Sequence, residues 1–350
     1  MFISVSKCIK LLLNTSKTSF AYRIKEVDNC VFIIDSRDNV VRFMNKSNQS
    51  KAKNKCVSTW DFSTLYTNIP HDKLKVQVGA FIRRIFNVVA KSKKAAKYIC
   101  CSEKSKTAYF SKSRSKTNIS FTAEELINYV RIIVDNSFIL FHDKIYRQVI
   151  GIPMGTNCAP FLANIFLHTY EYDYLNELVA RGDVETAKLI SQTFRYQDDC
   201  IAFNDIGKFG EHFCHIYPPE MHLENTNKSK KVCNFLDLRI SIFRGSFRYC
   251  SYDKRNDFNF NICNYPNLLG NIPWSGAYGV YISQLVRFCE INQNVNDFIK
   301  DVKVMTLKFL NQGFLKDMLK NVYLKYCFKY YYRWSKYGED ITKYSRTLFN

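Results

Sequence analysis

The stretch FRYQDDCIAF, residues 194–203, sets two adjacent aspartates, Asp198 and Asp199, between residues that would otherwise make a buried strand. Neighbouring carboxylates repel each other, and a charge is costly to bury unless something neutralises it. A solvated turn, a salt-bridged pair or a metal site would each satisfy them. The surrounding pattern predicts a strand, a two-aspartate turn and a second strand, which is a β-hairpin.

At 350 residues the chain is long enough for one large domain or two to three smaller ones. A hydrophobic content of 47% excludes a disordered tail. The 51 Lys and Arg against 31 Asp and Glu leave a formal charge of +20, which favours a polyanionic partner. Nucleic acid is preferred over an anionic membrane, because the basic stretches lack an amphipathic helix with an exposed apolar face. No apolar run is long enough for a membrane span. The N-terminal MFISVSKCIKLLLNTSK is interrupted by Lys7 and Lys10, so it reads as a short amphipathic helix and not as a signal peptide. Thirteen cysteines without CxxC pairs fit reduced thiols inside a cell, in nucleus or cytoplasm. His212, Cys214 and His215 cluster in HFCH but lack a second ligand pair at zinc spacing.

CVSTWDF, residues 56–62, predicts a strand interrupted near its end by Asp61. After Pro70, Leu74, Val78, Phe81, Ile82 and Ile85 fall at helical spacing. Residues 83–116 hold eleven Lys or Arg and one acid, Glu103, with no period, which predicts a loop or insertion. A helix is expected over 121–141, with Thr122 and Glu125 as a capping box. A strand, a glycine-marked turn at Gly151 to Gly155 and a long helix follow, with Pro160 in the helix's first turn and Leu162, Ile165, Phe166 and Tyr170 as its apolar stripe. Leu236, Leu238, Ile240 and Ile242 alternate with polar residues, and Arg244–Ser246 turns the chain into a second hairpin. Beyond residue 270 the pattern is helical, with Lys325, Lys329 and Arg333 four apart on one expected helix.

If the strand of Asp61 neighbours the aspartate hairpin in one antiparallel sheet, three carboxylates converge, an arrangement that calls for cations. Two divalent ions about 3.5–4 Å apart would relieve the repulsion and can clamp the attacking and leaving oxygens of a phosphoryl displacement. Mg2+, with Mn2+ as substitute, fits such oxygen donors.

The succession DFSTLYTNIP, GIPMGTNCAPFLANIFL, RYQDD and NFLDLRI resembles the palm motifs of reverse transcriptases, most closely those of Penelope-like retroelements, a kind related to the telomerase and non-LTR groups. The resemblance runs from about residue 56 to 330, with four motifs in order. It implies an α+β right-hand polymerase. Residues 1–55 would be a reduced fingers segment, and 56–245 a palm of antiparallel sheet backed by helices, with a fingers-like insertion over about 71–150. Residues 246–350 would hold the primer-grip hairpin, around Phe243 to Phe247 at its start, and a helical thumb. Asp61 and Asp198 are then the metal ligands and Asp199 their neighbour in the metal site. Tyr66 matches the bulky residue under the sugar, where an aromatic ring excludes a 2′-OH. Met154 and Gly155 match the loop lining the nucleotide and template pocket, and Phe62, Tyr196 and Gln197 join the nucleotide-facing set. Lys228, Lys230 or Lys231 would act near the leaving pyrophosphate, and Lys325, Lys329 and Arg333 would contact the duplex backbone. The implied partners are an RNA template, a DNA primer and deoxynucleoside triphosphates.

The sequence departs from this pattern in three places. Only about 55 residues precede the first motif, with Arg42, Lys46, Lys51 and Lys53 as partial candidates for triphosphate contacts. No GIY-YIG nuclease pattern follows residue 330, so the chain is expected not to cut its own target. Gln197 stands where an apolar residue is usual. The expected activity is RNA-directed DNA polymerisation. The alternative is a retroelement remnant that binds nucleic acid without extending it, and Tyr66 disfavours RNA synthesis.

Overall fold

Two helices open the chain, α1 (Phe2–Thr18) and α2 (Asp38–Gln49), and the first strand, β1 (Val57–Ser63), follows. The structure, a computed structural model, describes all residues except 1, 19–21, 51–52, 93–94, 103–104, 228, 261, 263 and 350. The chain divides into two compact units, residues 1–39 with 56–227, and residues 40–55 with 228–350.

In the first unit α1 buries Val5, Cys8, Ile9, Leu12 and Leu13, an i, i+3, i+4 pattern that makes it amphipathic as expected. After β1 come a one-turn helix, α3 (Leu65–Asn68), and α4 (His71–Lys91), whose buried face carries Leu74, Val78, Phe81, Ile82 and Ile85. The basic stretch 83–116 is not a loop. The helix runs through its first nine residues, and β2 (Tyr98–Cys101), β3 (Ala108–Ser111) and β4 (Ile119–Phe121) form a sheet of order β3-β2-β4. Buried Ile99, Cys100 and Cys101 carry that sheet on its central strand, while Lys97, Lys106, Lys112 and Lys116 lie outside its strands.

Helix α5 (Ala123–Asp135) has the capping box read from the sequence: Thr122 Oγ1 accepts from the Glu125 N–H, and Glu125 Oε2 from the Thr122 N–H. The helix ends six residues short of 141, because Asn136 leaves the helical conformation and the aromatic, β-branched run beyond it forms a hairpin of β5 (Phe138–Phe141) and β6 (Lys144–Arg147). Helix α6 (Ala159–Ala180) follows with Pro160 in its first turn. It has no single apolar stripe. Fourteen of its residues are buried, Asn164, His168 and Glu171 among them, because it is packed on several sides, by α1, α4, α7 (Val184–Ile190) and α8 (Lys208–Ile216).

The sheet of this unit runs β7-β8-β1-β9, all antiparallel, with β7 (Thr193–Tyr196), β8 (Asp199–Phe203) and β9 (His222–Asn225). Strand alternation sends Trp60 and Phe62 to one face and Asp61 to the other. Helix α8 covers the Trp60 face so closely that a Cβ at Gly210 would stand 2.6 Å from the indole ring. His212 and His215 lie on α8, with His212 Nδ1 2.5 Å from the Tyr174 hydroxyl.

In the second unit β10 (Val232–Phe235), β11 (Leu238–Phe243) and β12 (Ser246–Ser251) form an antiparallel sheet. Leu236 does not continue the strand alternation. It sits with Asp237 in the turn from β10 to β11, at a φ of 54°. The turn at Arg244 and Gly245 has positive φ at both residues, the geometry that matches strand twist in a two-residue hairpin. Residues 40–55 pack here: Asn48 Nδ2 donates to the Phe247 carbonyl and Asn48 Oδ1 accepts from its N–H. Helices α9 (Trp274–Ile291), α10 (Val295–Leu310), α11 (Lys316–Lys329), α12 (Tyr331–Trp334) and α13 (Ser345–Phe349) complete the unit.

Candidate active site

The aspartate hairpin closes at the Tyr196–Asp199 pair, leaving Gln197 and Asp198 as its two-residue turn. Gln197 has a φ of 56°, which suits such a turn but costs a residue with a side chain. β8 pairs with β1 in a register that sets Asp199 opposite Asp61. The Phe62 N–H donates to the Asp198 carbonyl at 3.1 Å, which makes Asp61–Asp199 a non-hydrogen-bonded pair. That is the narrower of the two antiparallel spacings, about 4.5 Å between Cα atoms. On its other side Asp61 faces Glu224 of β9. Tyr196, Asp199, Asp61 and Glu224 therefore stand in one row across four strands. Asp61, Asp198 and Asp199 are partly buried and Glu224 is exposed. Glu224 escaped the sequence reading because nothing in HLEN marks it until the register is known.

Behind the row, on the helix-covered face, Arg195 is fully buried. Its Nε donates to Glu171 Oε1 at 2.6 Å and its Nη2 to Oε2 at 3.2 Å. Nη1 donates to Asn164 Oδ1 at 2.7 Å and to the Gln197 carbonyl at 3.0 Å. Tyr217 completes the set, its hydroxyl donating to Glu171 Oε1 at 2.9 Å. Burial disfavours the guanidinium charge, but the Glu171 carboxylate outweighs it and holds the arginine above its ordinary range. Arg195 was legible only as the first letter of RYQDD.

Tyr66 sits on α3, joined to the glycine-marked loop. The Ile152 N–H donates to the Tyr66 carbonyl at 2.7 Å and the Gly151 N–H to the Ile69 carbonyl at 2.8 Å. Gly151 has a φ of 82°, and a Cβ there would stand 2.5 Å from the Tyr66 carbonyl oxygen. Only glycine fits. His71 Nε2, 2.7 Å from the Gly151 carbonyl, donates to it. Burial and then the Asp198 charge push the Tyr66 phenol up, against the opposing Arg195, so Tyr66 feels the aspartate turn. Met154 is 73% exposed, and nothing lies within 4 Å of where a Cβ would stand at Gly155.

The other expected site residues are divided between the two units. The Phe62 side chain is buried edge-on against Tyr217, so only its backbone faces the aspartates. Lys228 lies outside the described residues. Lys230 and Lys231 are exposed in the second unit. Lys325 and Lys329 are exposed on α11, but Arg333 is not on the same helix. α11 ends at Lys329, and Arg333 on α12 is ion-paired with Glu290. Of the basic residues before the first motif, Arg42, Lys46 and Lys53 are exposed and belong to the second unit, and Lys51 lies outside the described residues.

Among the described residues no group of three or more His, Cys, Asp and Glu side chains is arranged to hold a metal ion by itself. The Asp61–Asp199 pair and Asp198 beside it offer oxygen donors only, the set a hard divalent cation takes when it draws its remaining ligands from water and substrate phosphate. No helix among the described residues is long and apolar enough to cross a membrane.

No family model matches the chain, and no curated protein matches it. Solved structures do. Telomerase from Candida albicans, in complex with a TWJ fragment of telomeric RNA, superposes with a TM-score of 0.59 at 12% identity, over 99% of this chain and 54% of that one. Apo telomerase from Candida tropicalis gives a TM-score of 0.50 at 13% identity, over 98% and 55%. The chain spans about half the length of the telomerase chains it matches. At this identity the likeness is one of fold: a mixed helix-and-sheet architecture with antiparallel sheets, similar to that of telomerase.

Proposed function

We propose that the chain is an RNA-directed DNA polymerase of the Penelope-like retroelement kind, adding deoxynucleotides to a primer 3′-OH on an RNA template. The observation that carries this reading is the register of β1 and β8, which sets Asp61 beside Asp199 with Asp198 in the adjoining turn. Two carboxylates opposed in the narrow pair are mutually repulsive, and metal-assisted phosphoryl transfer is one chemistry that uses such a pair. The telomerase fold likeness and the four motifs in order support the same assignment, with β7-β8-β1-β9 as palm, a reduced fingers region and the C-terminal helices as thumb. The RNA bound to the Candida albicans telomerase and the +20 charge favour nucleic acid as partner.

Asp61 and Asp198, with Asp199 in support, would hold Mg2+. Bound there, Mg2+ supplies neutralisation of the triphosphate and stabilisation of the charge that develops as the primer oxygen attacks the α-phosphate. The chain's own part is positional. The Gln197–Asp198 turn presents the carboxylates, Tyr66 stands under the sugar and excludes a 2′-OH, and the Gly151 loop fixes Tyr66 from behind. Lys228, Lys230 or Lys231 would sit by the leaving pyrophosphate. Exposed Lys325 and Lys329 would hold duplex phosphates without reading sequence.

The deciding experiment is primer extension on poly(rA)/oligo(dT) with Mg2+ or Mn2+, comparing the parent with Asp198→Asn. Extension by the parent alone establishes the reading. Equal duplex binding with extension by neither makes the chain a nucleic-acid-binding remnant instead.

A further inference from the structure

Arg195 and the aspartate turn occupy opposite faces of the same strand pair, and one side chain bridges them. A buried ion pair is poor at stabilising a fold, since well-packed apolar residues in its place are often as good or better. The pair of Arg195 and Glu171, both without solvent exposure, therefore calls for another reason. An apolar side chain at 195 could fill the space but could not donate to the Gln197 carbonyl, which Arg195 Nη1 reaches at 3.0 Å.

That carbonyl belongs to the peptide linking Gln197 to Asp198. Gln197 holds a positive φ, a conformation that persists only where surroundings over-determine it. The next carbonyl, that of Asp198, is tied to the Phe62 N–H on β1. Both carbonyls flanking the Asp198 backbone are thus anchored, one to the strand of Asp61 and one to the helix layer. The guanidinium is a planar fork, so fixing two of its arms on Glu171 fixes the direction of the third. Asn164 and Glu171, two turns apart on α6, present that clamp from a single helix face, and Tyr217 holds Glu171 in turn.

We propose that Arg195, clamped by Glu171 and Asn164, is a positioning residue that fixes the Gln197–Asp198 peptide and so sets where the Asp198 carboxylate stands relative to Asp61. The proposal rests on the polymerase reading for its catalytic consequence, but its structural content can be measured without it.

The test uses Arg195→Met/Glu171→Met, which replaces the ion pair with apolar side chains, and Arg195→Lys, which keeps the charge and loses the fork. Hydrogen–deuterium exchange over residues 57–63 and 195–203 reads the turn directly. Primer extension and duplex affinity read the consequence. Both variants should melt as cooperatively as the parent, exchange faster over 195–203 while α4 and α6 stay protected, and bind duplex as the parent does. Their extension rate should fall about 100-fold, the cost of displacing a reacting group by about 1 Å, with the deoxynucleotide KM little changed. A folded variant with parental exchange and parental extension overturns the proposal, and so does failure of both variants to fold, which would make the network purely structural. If the parent does not extend primers, the polymerase reading fails and the exchange data alone decide the positioning role.

Discussion

Asp61 and Asp199 face each other across β1 and β8 as a narrow, non-hydrogen-bonded pair, with Glu224 on the far side of Asp61. Like charges directly opposed in a sheet are destabilising, so this row is a poor choice for folding, and the divalent cation proposed above would relieve it. Divalent binding should accordingly appear as added stability. Saturating Mg2+ at about ten times its dissociation constant raises unfolding free energy by about 1.4 kcal/mol. Thermal unfolding with and without Mg2+ should show an upward shift for the parent and little or none for Asp61→Asn. An equal shift in both would place the ion elsewhere.

The two glycines of the GIPMG loop predict opposite outcomes. At Gly151 an alanine meets both the φ of 82° and the Tyr66 carbonyl at 2.5 Å, a strain of about 2–3 kcal/mol. Gly155→Ala adds a methyl to open space and should change stability by no more than about 0.5 kcal/mol. Urea unfolding separates the two. If Gly155→Ala nonetheless impairs nucleotide use at parental stability, the space at Gly155 is reserved for substrate.

What the sequence revealed was local. The Thr122–Glu125 capping box, β1 and the aspartate hairpin each depend on residues within a few positions and were found. The hairpin's turn, however, is Gln197–Asp198 and not the two aspartates, since Asp199 already pairs with Tyr196 as the first residue of β8. Arg195 and Glu171 lie 24 residues apart on a strand and a helix, and Glu224 joins the site only through strand register. Neither relationship leaves a mark in composition or period. The sheet over 98–121 was hidden by the lysines outside its strands, and the burial of α6 by the helices around it, which no pattern within α6 records.

On the proposed reading Tyr66 ties the site to sugar choice. Its ring is partly buried and close enough to Asp198 for the charge to raise its phenol. Tyr66→Ala should increase ribonucleotide incorporation relative to deoxynucleotide, whereas Tyr66→Phe, which keeps the ring, should leave it low. Single-nucleotide incorporation with each sugar is the measurement, and unchanged discrimination in Tyr66→Ala would remove Tyr66 from that role.

His168, at the centre of α6, gives the fold an acid limit independent of the carboxylates. It is fully buried, and neither ring nitrogen has a hydrogen-bond partner among the described residues. Its ring lies against Tyr22, Phe81 and Tyr172. Burial, followed by the charges of Arg195, Arg84 and Lys17, pushes its pKa from 6.5 down to about 3. Between those values the unfolded chain binds a proton that the folded chain refuses. Stability is therefore full above pH 6.5 and falls as pH drops toward 3, by about 1.4 kcal/mol per unit. Between pH 7.5 and pH 5.0 the imidazole alone should cost about 2 kcal/mol of unfolding free energy. His168→Leu, close in volume, removes both orphaned nitrogens and should stabilise the neutral protein by about 1–3 kcal/mol. It should also flatten the acid limb by the imidazole's share, leaving only the loss due to carboxylates. Urea unfolding of parent and variant at the two pH values measures both effects, and an unchanged pH dependence in His168→Leu would show that the imidazole finds a partner or a proton in the folded chain.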